Sequence, residues 1–353
     1  MAVQVRLKAP GGPEMLELVE LYPPAPGPGE ILIRQEAAGV NFVDIYHRSG
    51  LYPVPGLPWV LGVEGAGVVE AVGEGVDALG TGDRVAYARA SLGAYASQRL
   101  LPAEHAIRVP ETVSAVTAAA GLVRGLTALM LLRHICPVGP GETLMVHAAA
   151  GGLGQFLTRM AKRDGATVIA VVGSPEKAEI ARDCGADHVI EHRREDVVAR
   201  ARELTEGRGV HAVVDGIGGD MLARSTQALR PFGVVASIGQ AAGPIPPLDV
   251  MQLHARTLSR PSVMAFMADT AIYRKAAQEV LDLVASGLPV AVGATFPLAE
   301  AGRAQAELEA GSTTGSIVLI PLTRAAHFPR PRTSRGRGWP NAVRSGEGGQ
   351  ETR

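Results

Sequence analysis

The sequence predicts an α/β protein in which a doubly wound parallel sheet is inserted into a β-rich domain. Its 353 residues exceed what one hydrophobic core usually serves, so two domains are expected. Residues 1–122 show short strand patterns separated by Gly and Pro, whereas strands and helices alternate from Thr143 onward. A last apolar strand at 316–320 follows the alternating part, so both chain ends should build the β-rich domain.

Turn residues divide the β-rich part. Residues 23–28 form a Pro-rich loop, and no helix-length periodicity occurs before Val113. Apolar or alternating segments predict strands at 3–7, 30–37, 60–72 and 82–87. This part is therefore expected to contain few helices.

The alternating part predicts right-handed βαβ units and a parallel sheet. Its strands are almost pure Val, Ile and Ala, as at 168–172, which is expected when helices cover both sheet faces. The predicted strands are 143–147, 167–172, 188–190, 210–214 and 234–238, and the predicted helices are 155–163, 175–184, 195–204 and 220–229. Another amphipathic helix is expected at 272–285.

Composition excludes several classes of protein. The chain is 46% hydrophobic and 20% charged, which argues against disorder, and its formal net charge of −1 argues against a dedicated nucleic-acid binder. Cys136 and Cys184 are too few for a disulfide framework or a thiolate zinc site. Residues 1–10 lack a signal-peptide core, and no apolar run of about 18 residues predicts a membrane span. We expect a soluble enzyme of a reducing compartment.

The last residues, 322–353, differ from the rest. They contain seven Arg and two Glu and show no apolar periodicity. Such a segment buries too little apolar surface to offset its ordering entropy, so a disordered basic tail is expected. Binding to a nucleic acid or a membrane surface is the alternative for this tail.

A glycine-rich turn, 148–154 (AAAGGLG), joins the first strand and helix of the alternating part. It fits the G-x-G-x-x-G fingerprint with Ala149 at the first position, and the helix after it offers free N–H groups to a pyrophosphate. An Ala/Gly turn that only packs a helix on a strand is the alternative. The predicted cofactor contacts here are Ala150, Gly151, Gly152, Leu153 and Gly154.

The end of the second strand favours NADPH over NADH. An NAD site usually carries an acid there, whereas this chain has Gly173 and Ser174. Lys177 is the candidate partner of a 2′-phosphate, with His192 and Arg193 after the third strand. The alternative is that Lys177 is an ordinary solvated helix residue.

The segment 41–52 (NFVDIYHRSGLY) is polar and follows a predicted strand. If it is helical, Asn41, Asp44 and Arg48 share one face. An exposed polar turn with a weak Asp44–Arg48 pair is the alternative.

Several motifs resemble the medium-chain dehydrogenase/reductase superfamily, and more closely its zinc-independent NADPH:quinone oxidoreductases of the zeta-crystallin group. The resemblance covers roughly residues 3–321. It rests on segments 41–52, 61–69, 82–85, 92–95, 125–127 and 147–154. It implies a GroES-like catalytic domain (1–122 and 264–321) into which a Rossmann NADPH-binding domain (123–263) is inserted.

The resemblance also implies a metal-free enzyme. The superfamily's alcohol dehydrogenases hold a catalytic zinc through Cys and His, and Asn41 and Val63 stand at the corresponding places here. Zinc needs about three N, S or O ligands at such a site, and no His/Cys cluster supplies them. Quinones and activated alkenes accept hydride without a Lewis acid, so the loss of zinc fits these acceptors.

The family implies a role for each remaining site residue. Asn41 and Thr127 would hold the nicotinamide end of the cofactor. The acceptor slot would be lined by Tyr46 and Tyr52, with Asp44 and Arg48 as its polar wall. Ile238, Gly239 and Gln240 would pass under the nicotinamide ribose. The segment 311–316 (GSTTGS) lacks two basic residues usual in the family, which would weaken the NADPH preference.

The sequence thus predicts an NADPH-dependent quinone reductase. Reduction of α,β-unsaturated ketones or aldehydes is one alternative, and a non-catalytic NADPH- or RNA-binding crystallin-like protein is another. The resemblance implies a homodimer with a small-molecule substrate. Composition predicts a cytoplasmic protein with no membrane partner and argues against a nucleic-acid partner.

Overall fold

The structure is a computed structural model that describes residues 2–321. The predicted basic tail, 322–353, lies outside the described residues. In chain order the described elements are β1 (Ala2–Leu7), β2 (Leu16–Leu21), β3 (Glu30–Val40), α1 (Phe42–Ser49), β4 (Trp59–Val60), β5 (Gly65–Val72), β6 (Arg84–Tyr87), β7 (Gln98–Pro102), β8 (Ile107–Arg108), α2 (Ala115–Met130), β9 (Thr143–His147), α3 (Gly152–Arg163), β10 (Thr167–Val172), α4 (Pro175–Asp183), β11 (His188–Glu191), α5 (Val197–Leu204), β12 (Val210–Asp215), α6 (Met221–Ala228), β13 (Leu229–Ser237), β14 (Thr257–Ser259), α7 (Val263–Phe266), α8 (Thr270–Ala285), β15 (Val292–Pro297), α9 (Ala301–Glu309) and β16 (Ser316–Ile320).

One six-stranded sheet is parallel and doubly wound, which confirms the predicted fold class. Its strand order is β11-β10-β9-β12-β13-β14. All of its pairings are parallel, as where Thr167 lies opposite Thr143. The strand order reverses beside β9, and ligands of such sheets bind at the carboxyl ends of the strands near this switch point.

A second, mixed sheet has the order β15-β16-β3-β5-β6-β8, with β7 also paired to β3. β16 lies antiparallel to β3, with Val318 opposite Gly39. Both chain ends therefore build this sheet, as predicted. A small antiparallel sheet, β2-β1-β4, completes the β-rich part. The domain boundaries at 122/123 and 263/264 remain a proposal, and α2 runs through the first of them.

Helix α2 corrects one expectation. Residues Ala115–Ile135 form a helical stretch of 21 residues whose most apolar 18-residue window has a mean hydropathy of 1.8. By length and composition this stretch is long and apolar enough to span a membrane. Thr117, Arg124 and Thr127 interrupt this stretch, so it is not a continuous apolar run in the sequence. In the folded protein 83% of its most apolar window is buried, which is typical of a core helix.

Candidate active site

A crevice of about 760 Å³ lies at the carboxyl ends of β9, β10, β12 and β13, beside α1 and α2. This volume is within the range of cofactor and ligand sites. The predicted site residues that line it are Asn41, Tyr46, Tyr52, Thr127, Ala150, Gly151, Gly152, Leu153, Gly154, Gly173, Lys177, His192, Ile238 and Gly239. Asp44, Arg48, Ser174 and Gln240 are not among its lining residues.

Two glycines of the turn lie in close packing that leaves no room for a Cβ atom. A Cβ on Gly154 would lie 2.4 Å from the carbonyl oxygen of Ala148. On Gly152, a Cβ would lie 2.5 Å from Arg124 Nε. Gly152 begins α3, a helix of 12 residues, so the first N–H groups of this helix face the crevice without intrahelical partners. The turn therefore suits a pyrophosphate.

The strand ends of β10 and β11 add positive charge to one end of the crevice. A Cβ on Gly173 would lie 3.1 Å from His192 Nε2 and 3.7 Å from Arg193 Nε. Lys177 Nζ donates to the carbonyl oxygen of Gly311 at 2.8 Å. Burial and the nearby Arg193 guanidinium lower the pKa of His192. Lys177 and Arg193 are thus the cations available to a phosphate at this end.

Ser174 supports this end without lining it. Its hydroxyl oxygen accepts a hydrogen bond from the backbone N–H of Lys177 and caps α4. The acid at 176 is exposed outside the crevice, as helix first turns favour. No carboxylate among the described lining residues faces Lys177 from β10 or α4.

Asn41 is held by a buried ion pair that the sequence prediction missed. Asn41 Nδ2 donates to Glu64 Oε1 at 2.8 Å, and Arg124 Nη1 donates to the same oxygen at 3.1 Å. The backbone N–H of Val123 donates to Glu64 Oε2 at 2.8 Å. Burial raises the pKa of Glu64, and the Arg124 guanidinium opposes this shift. The pair fixes Asn41 on the crevice wall, while Thr127 lies on the same wall from α2 and donates to Val123 O.

Asp44 does not form the predicted polar wall. It is fully buried on a face of α1 that does not line the crevice. Its Oδ2 accepts from the backbone N–H of Asn41 at 2.8 Å and from Tyr95 OH at 3.0 Å. Burial raises the pKa of Asp44 to about 7. Its Oδ1 is buried without a hydrogen-bond partner among the described residues.

Arg48 does not form the predicted polar wall either. It is 2% exposed and donates to Gly11 O at 3.1 Å, Gln305 Oε1 at 3.1 Å and Glu309 Oε2 at 2.7 Å. Asp44 and Arg48 share the predicted face of α1, but this face packs on Tyr95 and α9 rather than on the crevice. Both residues therefore hold α1 in place through contacts on the side away from the crevice.

Two tyrosine hydroxyls face the crevice at its other end. Tyr46 OH accepts from the backbone N–H of Gln240 at 2.8 Å, and Tyr52 OH accepts from Arg260 Nη2 at 3.3 Å. The two rings lie edge to face with centroids 5.2 Å apart. Because each oxygen accepts from an N–H group, each O–H proton is available to a ligand. Burial raises the pKa of Tyr46, so its hydroxyl keeps its proton.

A buried polar chain that the sequence reasoning did not assign lies under the crevice. Ser225 Oγ donates to Asp215 Oδ2 at 2.8 Å and lies 3.0 Å from His147 Nε2. A hydroxyl has one proton, so His147 Nε2 carries its own proton and donates to Ser225 Oγ. Burial lowers the pKa of His147, and Asp215 opposes this shift. The chain ties β9 to β12 and α6 and holds the start of the glycine turn.

Within residues 2–321 no three His, Cys, Asp or Glu side chains are grouped so that they could hold a metal ion. The absence of a metal in the working enzyme stays a prediction.

Family profiles match both parts of the chain. Residues 27–111 match the family described as alcohol dehydrogenase GroES-like domain, and residues 152–286 match the family described as zinc-binding dehydrogenase.

Whole-chain comparisons are more specific. The chain is 42% identical over 325 residues to a quinone oxidoreductase of Pseudomonas aeruginosa, which covers 91% of this chain and 100% of that relative. It is 40% identical over 322 residues to a 2-haloacrylate reductase of Burkholderia sp., with 88% and 96% covered. Its fold matches a crystal structure of Escherichia coli quinone oxidoreductase complexed with NADPH with a TM-score of 0.87 at 39% identity, covering 90% of this chain and 100% of that chain.

Proposed function

This chain belongs to the quinone oxidoreductases of the medium-chain dehydrogenase/reductase superfamily, and on that premise we propose that it is an NADPH-dependent quinone reductase. One observation carries the proposal. A single crevice joins a glycine turn and the cations Lys177 and Arg193 at one end to the hydroxyls of Tyr46 and Tyr52 at the other. These are the groups needed to hold a phosphorylated dinucleotide and an electrophilic carbonyl side by side.

The cofactor-binding residues follow from the geometry. The backbone of 150–154 would hold the pyrophosphate, Lys177 and Arg193 the 2′-phosphate, and Asn41 and Thr127 the nicotinamide end. Ile238 and Gly239 lie at the end of β13 and would pass beneath the nicotinamide ribose. When bound, NADPH supplies a hydride, and one further proton completes the conversion of a quinone to a hydroquinone.

The chain's own contribution is orientation and hydrogen bonding. Tyr46 and Tyr52 each present an O–H group to an acceptor oxygen, and Gln240 N–H and Arg260 hold these hydroxyls in place. Preorganised donors of this kind stabilise negative charge as it develops on oxygen. The buried Glu64–Arg124 pair keeps Asn41 on the opposite wall.

Reduction of an α,β-unsaturated carbonyl compound is the second candidate function. The same two hydroxyls would bind its carbonyl oxygen, and the similarity to a 2-haloacrylate reductase supports an activated alkene as acceptor. The shape of the slot beside Tyr46 and Tyr52 would decide between the two acceptors. A non-catalytic NADPH-binding role does not explain why both hydroxyls face the crevice.

We further propose a homodimer that works in the cytoplasm. β14 is the edge strand of the parallel sheet, and exposed apolar side chains lie in the segments next to it: Phe232 is 82%, Val250 74% and Met251 75% exposed. An apolar edge of this kind is typical of an interface. The two free cysteines, Cys136 and Cys184, fit a reducing compartment. Light scattering coupled to gel filtration tests the dimer, because a monomer mass would contradict it.

The activity test follows NADPH oxidation with 1,4-benzoquinone and with 2-cyclohexenone, each with and without a chelator. We expect turnover with the quinone to exceed that with the enone and to persist in the chelator. Faster enone turnover would favour the second candidate. NADPH binding without turnover of either acceptor would favour the non-catalytic alternative.

A further inference from the structure

Arg260 is a crevice cation that the dinucleotide does not account for. It follows β14 directly and lines the crevice beside Tyr52. The other lining cations have evident partners or roles. Arg124 pairs with Glu64, and Lys177 and Arg193 lie at the end proposed to hold the 2′-phosphate, here called the phosphate end. Arg260 lies instead at the end lined by Tyr46 and Tyr52, here called the acceptor end.

The guanidinium is held in place but keeps free donors. Nη1 donates to Ser237 O at 2.8 Å and Nη2 donates to Tyr52 OH at 3.3 Å. An arginine has five N–H donors, so Nε–H and one N–H on each terminal nitrogen have no acceptor among residues 2–321. The side chain is therefore oriented and still able to bind an anion.

No carboxylate of the described residues neutralises this charge. The lining acid is Glu309, and its Oε2 accepts from Arg48 Nη2 at 2.7 Å, so its charge is already balanced by a buried cation. The acceptor end thus combines two hydroxyl donors with one uncompensated positive charge. Arg also forms two-point contacts with carboxylates and other oxyanions that a point charge does not form.

We propose that Arg260 binds an anionic substituent of the hydride acceptor, so that the preferred substrates are quinones or enones that carry a carboxylate or sulfonate. This inference rests on the proposed function, since it names the class of acceptor that the same site reduces. Tyr46 and Tyr52 would bind the oxygen that is reduced, while Arg260 binds the charged group.

The test compares a matched pair of acceptors, 1,2-naphthoquinone and 1,2-naphthoquinone-4-sulfonate, at saturating NADPH in wild type, Arg260→Gln and Arg260→Lys. The two quinones differ in intrinsic reactivity, so the informative quantity is the change in their kcat/KM ratio between variants. We expect Arg260→Gln to lower the sulfonate-to-neutral ratio about tenfold, mainly through KM, because a hydrogen bond to a charged group is lost. Arg260→Lys should retain most of the preference because it keeps the charge.

The outcomes separate this inference from the function on which it rests. If wild type reduces neither quinone, the proposed function fails. If it reduces both and the sulfonate-to-neutral ratio of kcat/KM is the same in Arg260→Gln as in wild type, the anion-binding role of Arg260 is overturned while the function stands. A fall in kcat that is equal for both quinones reports only the lost contact to Tyr52 OH and leaves this ratio unchanged. NADPH affinity from fluorescence quenching should be the same in both variants, which controls for misfolding.

A measurement on wild type alone gives a second test. Added salt screens the attraction between Arg260 and an anionic acceptor. KM for the sulfonate should therefore rise with NaCl more steeply than KM for the neutral quinone. Equal salt dependence for both would contradict the proposal.

Discussion

The two ends of the crevice use charge in different ways. At the phosphate end, Lys177 and Arg193 line the crevice itself and would meet a phosphate directly. At the acceptor end, Asp44 and Arg48 of α1 are buried behind the wall, and the crevice is lined by the hydroxyls of Tyr46 and Tyr52 with one cation, Arg260, beside them. A permanent phosphate needs a permanent countercharge, whereas an oxygen that becomes negative only during reaction is served by oriented donors.

The buried charges of α1, Asp44 and Arg48, position this helix. Arg48 joins α1 to the connection between β1 and β2 through Gly11 O, and to α9 through Gln305 and Glu309. Asp44 holds the first turn of α1 through the N–H of Asn41. These buried contacts fix the position of α1 at the acceptor end. Substitutions of Asp44 or Arg48 should therefore change the stability of the protein and the position of α1.

The largest effect is expected from breaking the phosphate end with Gly154→Val. The new Cβ would meet the backbone at Ala148 O, so α3 must move away from β9. We expect about a 100-fold loss of NADPH affinity, together with a loss of about 2 kcal/mol in the free energy of unfolding from overpacking. Fluorescence titration and urea unfolding measure the two quantities.

Gly80→Ala is the matched control. A Cβ on Gly80 meets nothing within 4 Å, and its φ is not in the left-handed region. NADPH affinity and stability should stay close to wild type, with a stability change below about 0.5 kcal/mol. A Gly154→Val protein that binds NADPH as well as Gly80→Ala would refute the close-packing role of the turn.

An effect on stability alone, without the loss of NADPH affinity, is expected from the buried support of the acceptor end. Since burial raises the pKa of Asp44 from 3.8 to about 7, the native state holds this proton more tightly than the unfolded chain. The contribution of Asp44 to stability therefore falls as pH rises from about 4 to about 7. Asp44→Asn should remove this fall, which is on the order of 2–4 kcal/mol.

Urea unfolding at pH 5 and pH 8 measures this effect. Glu64→Gln is the contrasting variant, because Glu64 is paired with Arg124 and its loss leaves a buried guanidinium without its partner. Glu64→Gln should lower stability at both pH values. If Asp44→Asn keeps the wild-type dependence of stability on pH, the pKa of Asp44 is not raised in the folded protein.

The smallest effects are expected at the two hydroxyls. Tyr46→Phe removes one donor to the acceptor oxygen and should lower kcat about tenfold with little change in NADPH affinity. Tyr52→Phe should cost less, because Tyr52 OH is held by the longer contact to Arg260. Steady-state kinetics with a neutral quinone measures both, and an unchanged kcat in Tyr46→Phe would remove it from the proposed chemistry.

Local patterns predicted the phosphate end better than the acceptor end. The βαβ alternation and the glycine turn are short-range signals, so the parallel sheet and the place of 150–154 followed from the sequence. The partners of Arg48 lie 257 and 261 residues further along the chain, and Arg260 lies 208 residues from Tyr52. Periodicity put Asp44 and Arg48 on one face of α1 but carries no information on which neighbour that face meets.

Recognition of the 2′-phosphate of NADPH at one end of the crevice underlies the proposed function. Titration of wild type, Lys177→Ala and the exposed control Lys275→Ala with NADPH and with NADH tests this recognition. We predict that wild type and Lys275→Ala bind NADPH more tightly than NADH, and that Lys177→Ala loses about tenfold in NADPH affinity while its NADH affinity is unchanged. Equal affinity of wild type for the two cofactors, or an equal loss for both in Lys177→Ala, would show that this end of the crevice does not recognise the 2′-phosphate.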